Sequence, residues 1–449
     1  MVASAIALGY PAPVVVNWRG NGNVDTQENI PSHLKKITGV LDYLEWATSY
    51  SATNGTRLEE DDLVLMLDAH DIWLQLPPSV LLQRYFAAND RANERLGAED
   101  DSSGPSFVRQ TILASSQKNC VAPRNKFSDL NCDSVPESPL PDRVFGLLTD
   151  TKLTKPQYWR PRWLNSGSFM GPAGDMKRYF QRVNERMNQH LAKVKEKDGL
   201  SGDQGIFAEI FGEQEVWRHE TAMNDTVEGS LVRRAEAGEQ FEYHVGLDYN
   251  QELFYPTCYS EHSGYFVSLD DTDAVTAWSN HAGVAPPRVD SVPRDINETK
   301  LPLSDLEQRL DMPRSWSGLP LYVDFWTTSI PVAVHHNAWK KGLKSRQKTW
   351  WDKTWYFPHL RELLEYRMWS NSTTSPLASL SASSGSLEVW PYLEVESTKA
   401  AMLFESDGQS GTRGLRLADW SEACESDDEK VEAAPHWYDE VFRDGKGPL

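Results

Sequence analysis

Cysteine is scarce in this 449-residue chain, with four in all, too few for a disulfide scaffold. Long apolar runs are missing too. None approaches the roughly 18–20 residues a membrane helix needs, so no membrane span is expected. Positive charge is in deficit, since 45 Lys and Arg stand against 65 Asp and Glu, a net −20. Such a surface repels phosphate unless a local basic patch dominates, which argues against non-specific nucleic-acid binding. Met1–Gly9 is apolar but short, lacks basic residues and runs into Tyr10-Pro11-Ala12-Pro13, so no signal peptide is expected there. G-x-S-x-G, P-loop, H-E-x-x-H, G-x-G-x-x-G and D-x-D-x-T patterns are all lacking.

What is present suits a folded domain, with 39% hydrophobic and 24% charged residues. Up to about residue 345, short apolar runs alternate with helical patterns, the mark of an α/β class. Val14–Val16 reads as a strand, and Leu34–Ala47 as a helix with Ile37, Val40, Leu41 and Leu44 on one face. Leu63–Leu67 is continuously apolar, as expected of a central parallel strand buried on both faces. Pro77-Pro78 opens a helix, Gly167–Gly171 reads as a strand, and Asp175 is placed to cap the helix that follows. Ile330–Val334 is the last clear strand. The region beyond about 366 reads as an irregular extension, with a Ser-rich linker over about 371–386 and an acidic stretch at Glu422–Glu429. Cys120 and Cys132, with eleven residues between them, fit either a loop-closing disulfide or two thiols. Sequons at Asn54, Asn224, Asn297 and Asn371 give weak support to a secretory route.

Four features carry possible chemistry. The first is Asp68-Ala69-His70-Asp71, directly after the Leu63–Leu67 strand. Ligands of open α/β sheets bind beyond strand carboxyl ends, and a turn there lets two carboxylates converge on a hard divalent cation. A solvated acidic turn is the plainer alternative. The second is His335 after Ile330–Val334; an imidazole beside carboxylates shifts metal preference toward Mn²⁺. Lys340, Lys341, Lys344, Arg346, Lys348 and Lys353 follow, a local charge reversal suited to a diphosphate or to a solvated basic face. The third is Arg162-Trp163-Leu164-Asn165-Ser166-Gly167, with compact polar groups and a glycine that permits close backbone approach. The fourth is Gly202-Asp203-Gln204-Gly205, where Asp203 serves as a helix N-cap or as a general base. Tryptophan is frequent, 17 in all. Trp73, Trp163, Trp339, Trp350, Trp351 and Trp355 lie beside these motifs; aromatic faces stack on sugar C–H faces, although most of these rings are expected in the core.

In this order the motifs resemble the GT-A-fold glycosyltransferases, in particular the glycosyltransferase domain of procollagen lysine hydroxylases and the procollagen galactosyltransferases. They resemble still more a fungal glycosyltransferase group that shares LVLMLDAHDIWLQLPP, RWLNSGSFMGP, GDQGIFAEIFG and WWDKTWYFP. The resemblance spans roughly residues 3–365 and implies a Rossmann-like GT-A domain over 1–365, with 366–449 as the extension. It implies Asp68, Asp71 and His335 as ligands of Mn²⁺ (or Mg²⁺), Asn337 and Lys341 near the diphosphate, and Asn165, Ser166 and Gly167 at the donor sugar. Asp203 and Gln204 would stand at the reaction centre, and Asp248 would be structural. The family's strand ahead of the helix at Ser4–Pro11 is not expected in this fold, because Met1 falls at that helix. Gly202 replaces one of the consecutive aspartates of the lysine hydroxylases, and their hydroxylase half has no counterpart.

The function expected is metal-dependent sugar transfer from a nucleotide-diphosphate donor, a UDP-sugar by resemblance, to an unidentified glycan or protein acceptor in the secretory or Golgi lumen. The alternative is a catalytically impaired relative that binds glycans or a partner. A metal-dependent phosphohydrolase is a third, generic reading of the carboxylates and His335.

Overall fold

The computed structural model describes residues 1–18, 33–52, 55–97, 108–120, 130, 132–151, 155–193, 202–223, 227–302, 315–369, 376–382, 385–391, 400–407, 412–424 and 435–449. It is mixed α/β. Strands β1 (Val14–Val15), β2 (Leu63–Leu67), β3 (Ile72–Leu74), β4 (Ile112–Gln117) and β5 (Trp163–Pro172) come first. Next are β6 (Val245–Asp248), β7 (Phe254–Pro256), β8 (Gly264–Val267), β9 (Leu321–Asp324) and β10 (Ala333–His335). The last four are β11 (Ala378–Ala382), β12 (Gly385–Val389), β13 (Ala401–Asp407) and β14 (Thr412–Ala418). The helices that matter below are α1 (Val2–Ala7), α2 (Lys35–Ala47), α3 (Pro78–Leu96), α4 (Ala173–Lys193) and α5 (Gln204–Ala222).

Two sheets set up the site. One has the order β2-β5-β4-β6, with β5 antiparallel to both its neighbours and β4 parallel to β6. The other has the order β3-β10-β7, with β10 antiparallel to β3 and parallel to β7. The chain leaves the first sheet at Leu67 and enters the second at Ile72, so Asp68–Asp71 form the joint between sheets. This corrects the expected place of Leu63–Leu67: β2 is an edge strand antiparallel to β5, and of its five residues only Met66 is buried. Its continuous apolarity has a different cause. Leu63, Leu65 and Leu67 pack on one apolar cluster, and Val64 and Met66 on the other. Both faces are covered, while among the described residues only the edge toward β5 is paired.

The larger cluster joins α1, β3, α3 and β9, and the smaller one packs α2, α4 and α5 against β4 and β5. Pro78 opens α3 as expected, and Gly97 ends it in the left-handed conformation (φ 67°). Asp175 lies inside the first turn of α4 instead of ahead of it. There it accepts from Thr111 Oγ1 and pairs with Arg178 and His244, a use of its charge that an N-cap would not satisfy.

The region beyond 366 is more regular than its composition suggests. β11 and β12 form a hairpin inside the Ser-rich stretch, and β13 and β14 form another. β13 also pairs in parallel with β1, Val14 opposite Met402. As the middle strand of its sheet, β13 buries four successive apolar side chains, Ala401, Met402, Leu403 and Phe404. Phe404 rests on Tyr43 and Trp46 of α2 at ring distances of 5.4 and 5.5 Å. Residues 371–375, 383 and 384 of the linker and 425–429 of the acidic stretch lie outside the described residues, as do the sequons at Asn54, Asn224 and Asn371. Asn297 is exposed at the end of the short helix Arg294–Asn297. Cys120 and Cys132 are disulfide-bonded, with Cα atoms 5.6 Å apart.

Candidate active site and metal centre

Strand register brings the sequence-distant groups together. His335 at the end of β10 pairs with Ile72, the residue after Asp71, and His336 N–H donates to the Asp71 carbonyl at 2.7 Å. On the other side, Asp68 N–H donates to the Gly167 carbonyl at 2.8 Å, continuing the β2–β5 ladder. The joint between the sheets therefore aims both carboxylates at one imidazole. His335 Nε2 is 3.2 Å from Asp71 Oδ1 and 4.0 Å from Asp68 Oδ2. One ligand atom from each of Asp68, Asp71 and His335 lies within 4.8 Å of the others, so the three could hold a metal ion.

The tautomer of His335 follows from its neighbours. Asn165 Oδ1 accepts from Gly167 N–H at 3.0 Å, and Asn165 Nδ2 donates to Gln117 Oε1 at 2.9 Å and to Gln204 Oε1 at 3.2 Å. A backbone N–H can only donate, so this amide can face only one way. His335 Nδ1, 3.2 Å from Asn165 Oδ1, must then carry its proton. In the neutral ring Nε2 is left as a lone pair among two carboxylates, an arrangement that a cation satisfies and that matches the outer-shell support of metal-binding histidines. Gly167 is required here, because a Cβ at that position would overlap the His335 ring.

Lys36, in the first turn of α2, is the functional residue that sequence reasoning missed. Its ammonium lies 3.0 Å from Asp68 Oδ1, 2.6 Å from Asp203 Oδ2 and 2.9 Å from the Ser166 carbonyl. Burial pushes the Lys36 pKa down, but Asp203 and Asp68 outweigh it and hold the amine above its ordinary value. The only signal in the sequence was a lysine on the polar edge of an amphipathic helix, which is where any solvated lysine would be. Asp203 occupies the N-cap position of α5, yet its side chain makes no capping hydrogen bond. Its carboxylate serves Lys36 instead. Gln204, one residue on, reaches Asn165 and so joins α5 to the imidazole.

Electrostatics favour the ionised form of Asp71. Burial raises the Asp71 pKa, whereas His335, first by hydrogen bonding and then by charge, and Lys344 outweigh that and hold it below the usual value. Fully buried His336 packs on Trp73 with ring centroids 4.1 Å apart and planes inclined by 45°, and burial first, then His335, pushes it down to about 3, so it adds no charge at neutral pH.

The basic run after His335 is divided in its duties. Arg346 is buried against the Glu261 carbonyl and the Trp350 ring, Lys340 donates to His262, and Lys348 meets Glu440. Lys344 is the lysine whose charge reaches Asp71, while Lys341 is exposed. Asn337 turns away to accept from Cys258 N–H at 3.0 Å. Ser166 contributes its carbonyl to Lys36 and its hydroxyl at 3.5 Å. Asp248 accepts from the backbone N–H groups of Glu252, Leu253 and Phe254 and clamps the turn from β6 into β7. Of the tryptophans, Trp73, Trp351 and Trp355 are buried, Trp163 and Trp350 half-buried, and Trp339 is 69% exposed.

No protein-family model matches the chain, and no curated protein matches it. Among the described residues, no helix is long and apolar enough to cross a membrane.

Proposed function

We propose that this chain is a metal-dependent glycosyltransferase of GT-A type that takes a nucleotide-diphosphate sugar, a UDP-sugar, as donor. The observation that carries the reading is the meeting of Asp68, Asp71 and His335 at the joint of two sheets, with Lys36 bridging this group to Asp203. Two carboxylates and one imidazole suit Mn²⁺, which when bound supplies Lewis-acid neutralisation of charge on a leaving diphosphate. Lys36 supplies a second, fixed positive charge in a half-buried setting, where a preorganised charge acts more strongly than in water. Asp203, held by that ammonium, is the group that would orient or deprotonate an acceptor hydroxyl. Asn165 keeps the His335 proton on Nδ1, and Gln204 holds Asn165. The disulfide and exposed Asn297 suit a secretory lumen.

The test is turnover of a panel of UDP-sugars with Mn²⁺, read as UDP release. Metal-dependent release is expected from one donor, abolished in Asp71→Ala with the fold retained. Unchanged metal-dependent release in Asp71→Ala would refute the reading.

A further inference from the structure

We propose that Trp339 and Tyr259 form the acceptor subsite of this enzyme, an aromatic platform that takes the C–H face of a saccharide; the assignment of that saccharide as acceptor rests on the glycosyltransferase reading above. Trp339 is 69% exposed and follows metal-site His335 by four residues, so its Cα lies within about 14 Å of that histidine's even if the chain were fully extended. Its ring stacks on Tyr259, with centroids 5.9 Å apart and planes inclined by 23°. Tyr259 thus covers part of the indole, while the ring as a whole is largely exposed.

The platform is fastened to the metal site from both ends. On the Trp339 side, the loop after β10 is tied to the loop after β7. Thr257 N–H donates to the His335 carbonyl, Cys258 N–H to Asn337 Oδ1, and the N–H groups of Trp339 and Lys340 both donate to Glu261 Oε1. On the Tyr259 side, Asn119 lies beside the ring, Gln117 Nε2 donates to the Asn119 carbonyl, and Asn165 joins Gln117 to His335. Tyr259 also holds φ at 61°, a left-handed conformation that a non-glycine residue keeps only where its surroundings impose it. An exposed ring that served only as surface would need none of this anchoring.

The shape selects the ligand class. The next residue after the exposed Trp339, Lys340, carries an ammonium that hydrogen-bonds to His262. That combination matches a pyranose, with apolar C–H groups on one face and hydroxyls around the rim. A nucleobase sandwiched between rings would need the space that Tyr259 already fills.

The test uses the full chain, saturation-transfer NMR with methyl β-galactoside, methyl β-glucoside and methyl N-acetyl-β-glucosaminide, and a parallel titration with UDP and Mn²⁺. Expected is transfer to the ring C–H protons of one glycoside, with affinity about tenfold weaker in Trp339→Ala, partly restored in Trp339→Phe, and UDP affinity unchanged in both. Failure of every glycoside on the wild-type chain, or equal binding by Trp339→Ala, would overturn the platform while leaving the donor reading intact. Loss of UDP binding in Trp339→Ala would also overturn it, by assigning the ring to the donor. Glycoside binding lost in Trp339→Ala, with no UDP bound by any variant, would uphold the platform and refute the transferase.

Discussion

Lys36 is the residue on which the two halves of the site depend. Its ammonium touches Asp68 on the metal side and Asp203 on the other, so it neutralises part of the charge that a cation would otherwise meet. Removing it has consequences of opposite sign. In Lys36→Met the half-buried Asp68 and the buried Asp203 lose their partner, and we expect a stability loss of about 2 kcal/mol by urea denaturation, less than for a fully buried pair because solvent still screens Asp68. Mn²⁺ alone should bind more tightly to this variant, since Asp68 is released from competition, while sugar transfer should vanish. Equal Mn²⁺ affinity in wild type and Lys36→Met by calorimetry would contradict this balance. The three side chains that could hold a metal ion were legible as candidates in the sequence because Asp68 and His335 sit at the ends of apolar strands, with Asp71 three residues beyond Asp68. Lys36 was not, because its partners Asp68, Ser166 and Asp203 come from segments that only the fold brings together.

Among the secondary-structure elements, the turn from β6 into β7 illustrates how a buried carboxylate organises backbone. Burial is the largest influence on Asp248 and pushes its pKa up to about 6, against the opposing effect of its three backbone N–H donors. An unfolded aspartate titrates at about 3.9. Between about pH 4 and pH 6 the folded chain therefore holds a proton that the unfolded chain has lost, so this group makes stability fall as pH rises through that window and level off above it. Asp248→Asn should remove that component of the pH dependence. It should also cost about 1–3 kcal/mol, because an amide N–H₂ then faces backbone donors. Urea denaturation across about pH 4–7 checks both, and an unchanged profile would contradict them. Sequence pattern served strand β2 less well. Its five apolar residues have the same pattern whether the strand is central or at an edge, and only the pairing with β5 separates the two.

Across the molecule, residues beyond 366 contribute to both apolar clusters. Ala400, Trp420, Trp437 and Phe442 belong to the larger, and Phe404 to the smaller, where it packs on the helix that carries Lys36. Arg413 adds an ion pair to Asp42 of the same helix at 2.6 Å. A chain ending at residue 365 should therefore lose its cooperative unfolding transition, and retention of that transition with UDP binding intact would contradict this. The sequence disguised the connection because Ser-rich composition resembles a linker, and the pairing of Val14 with Met402 leaves no local trace in either segment. The alternation of helix and strand up to about 345 was a reliable guide to the mixed α/β class, since most of the longer elements there bury a face of their own.

Calorimetric titration of the full chain with UDP, with and without Mn²⁺, in wild type and in Asp71→Ala, bears on the donor site and the metal ligands together. Binding should weaken at least about tenfold without Mn²⁺ and be lost in Asp71→Ala. UDP binding that is indifferent both to Mn²⁺ and to Asp71 would contradict the metal-dependent donor site.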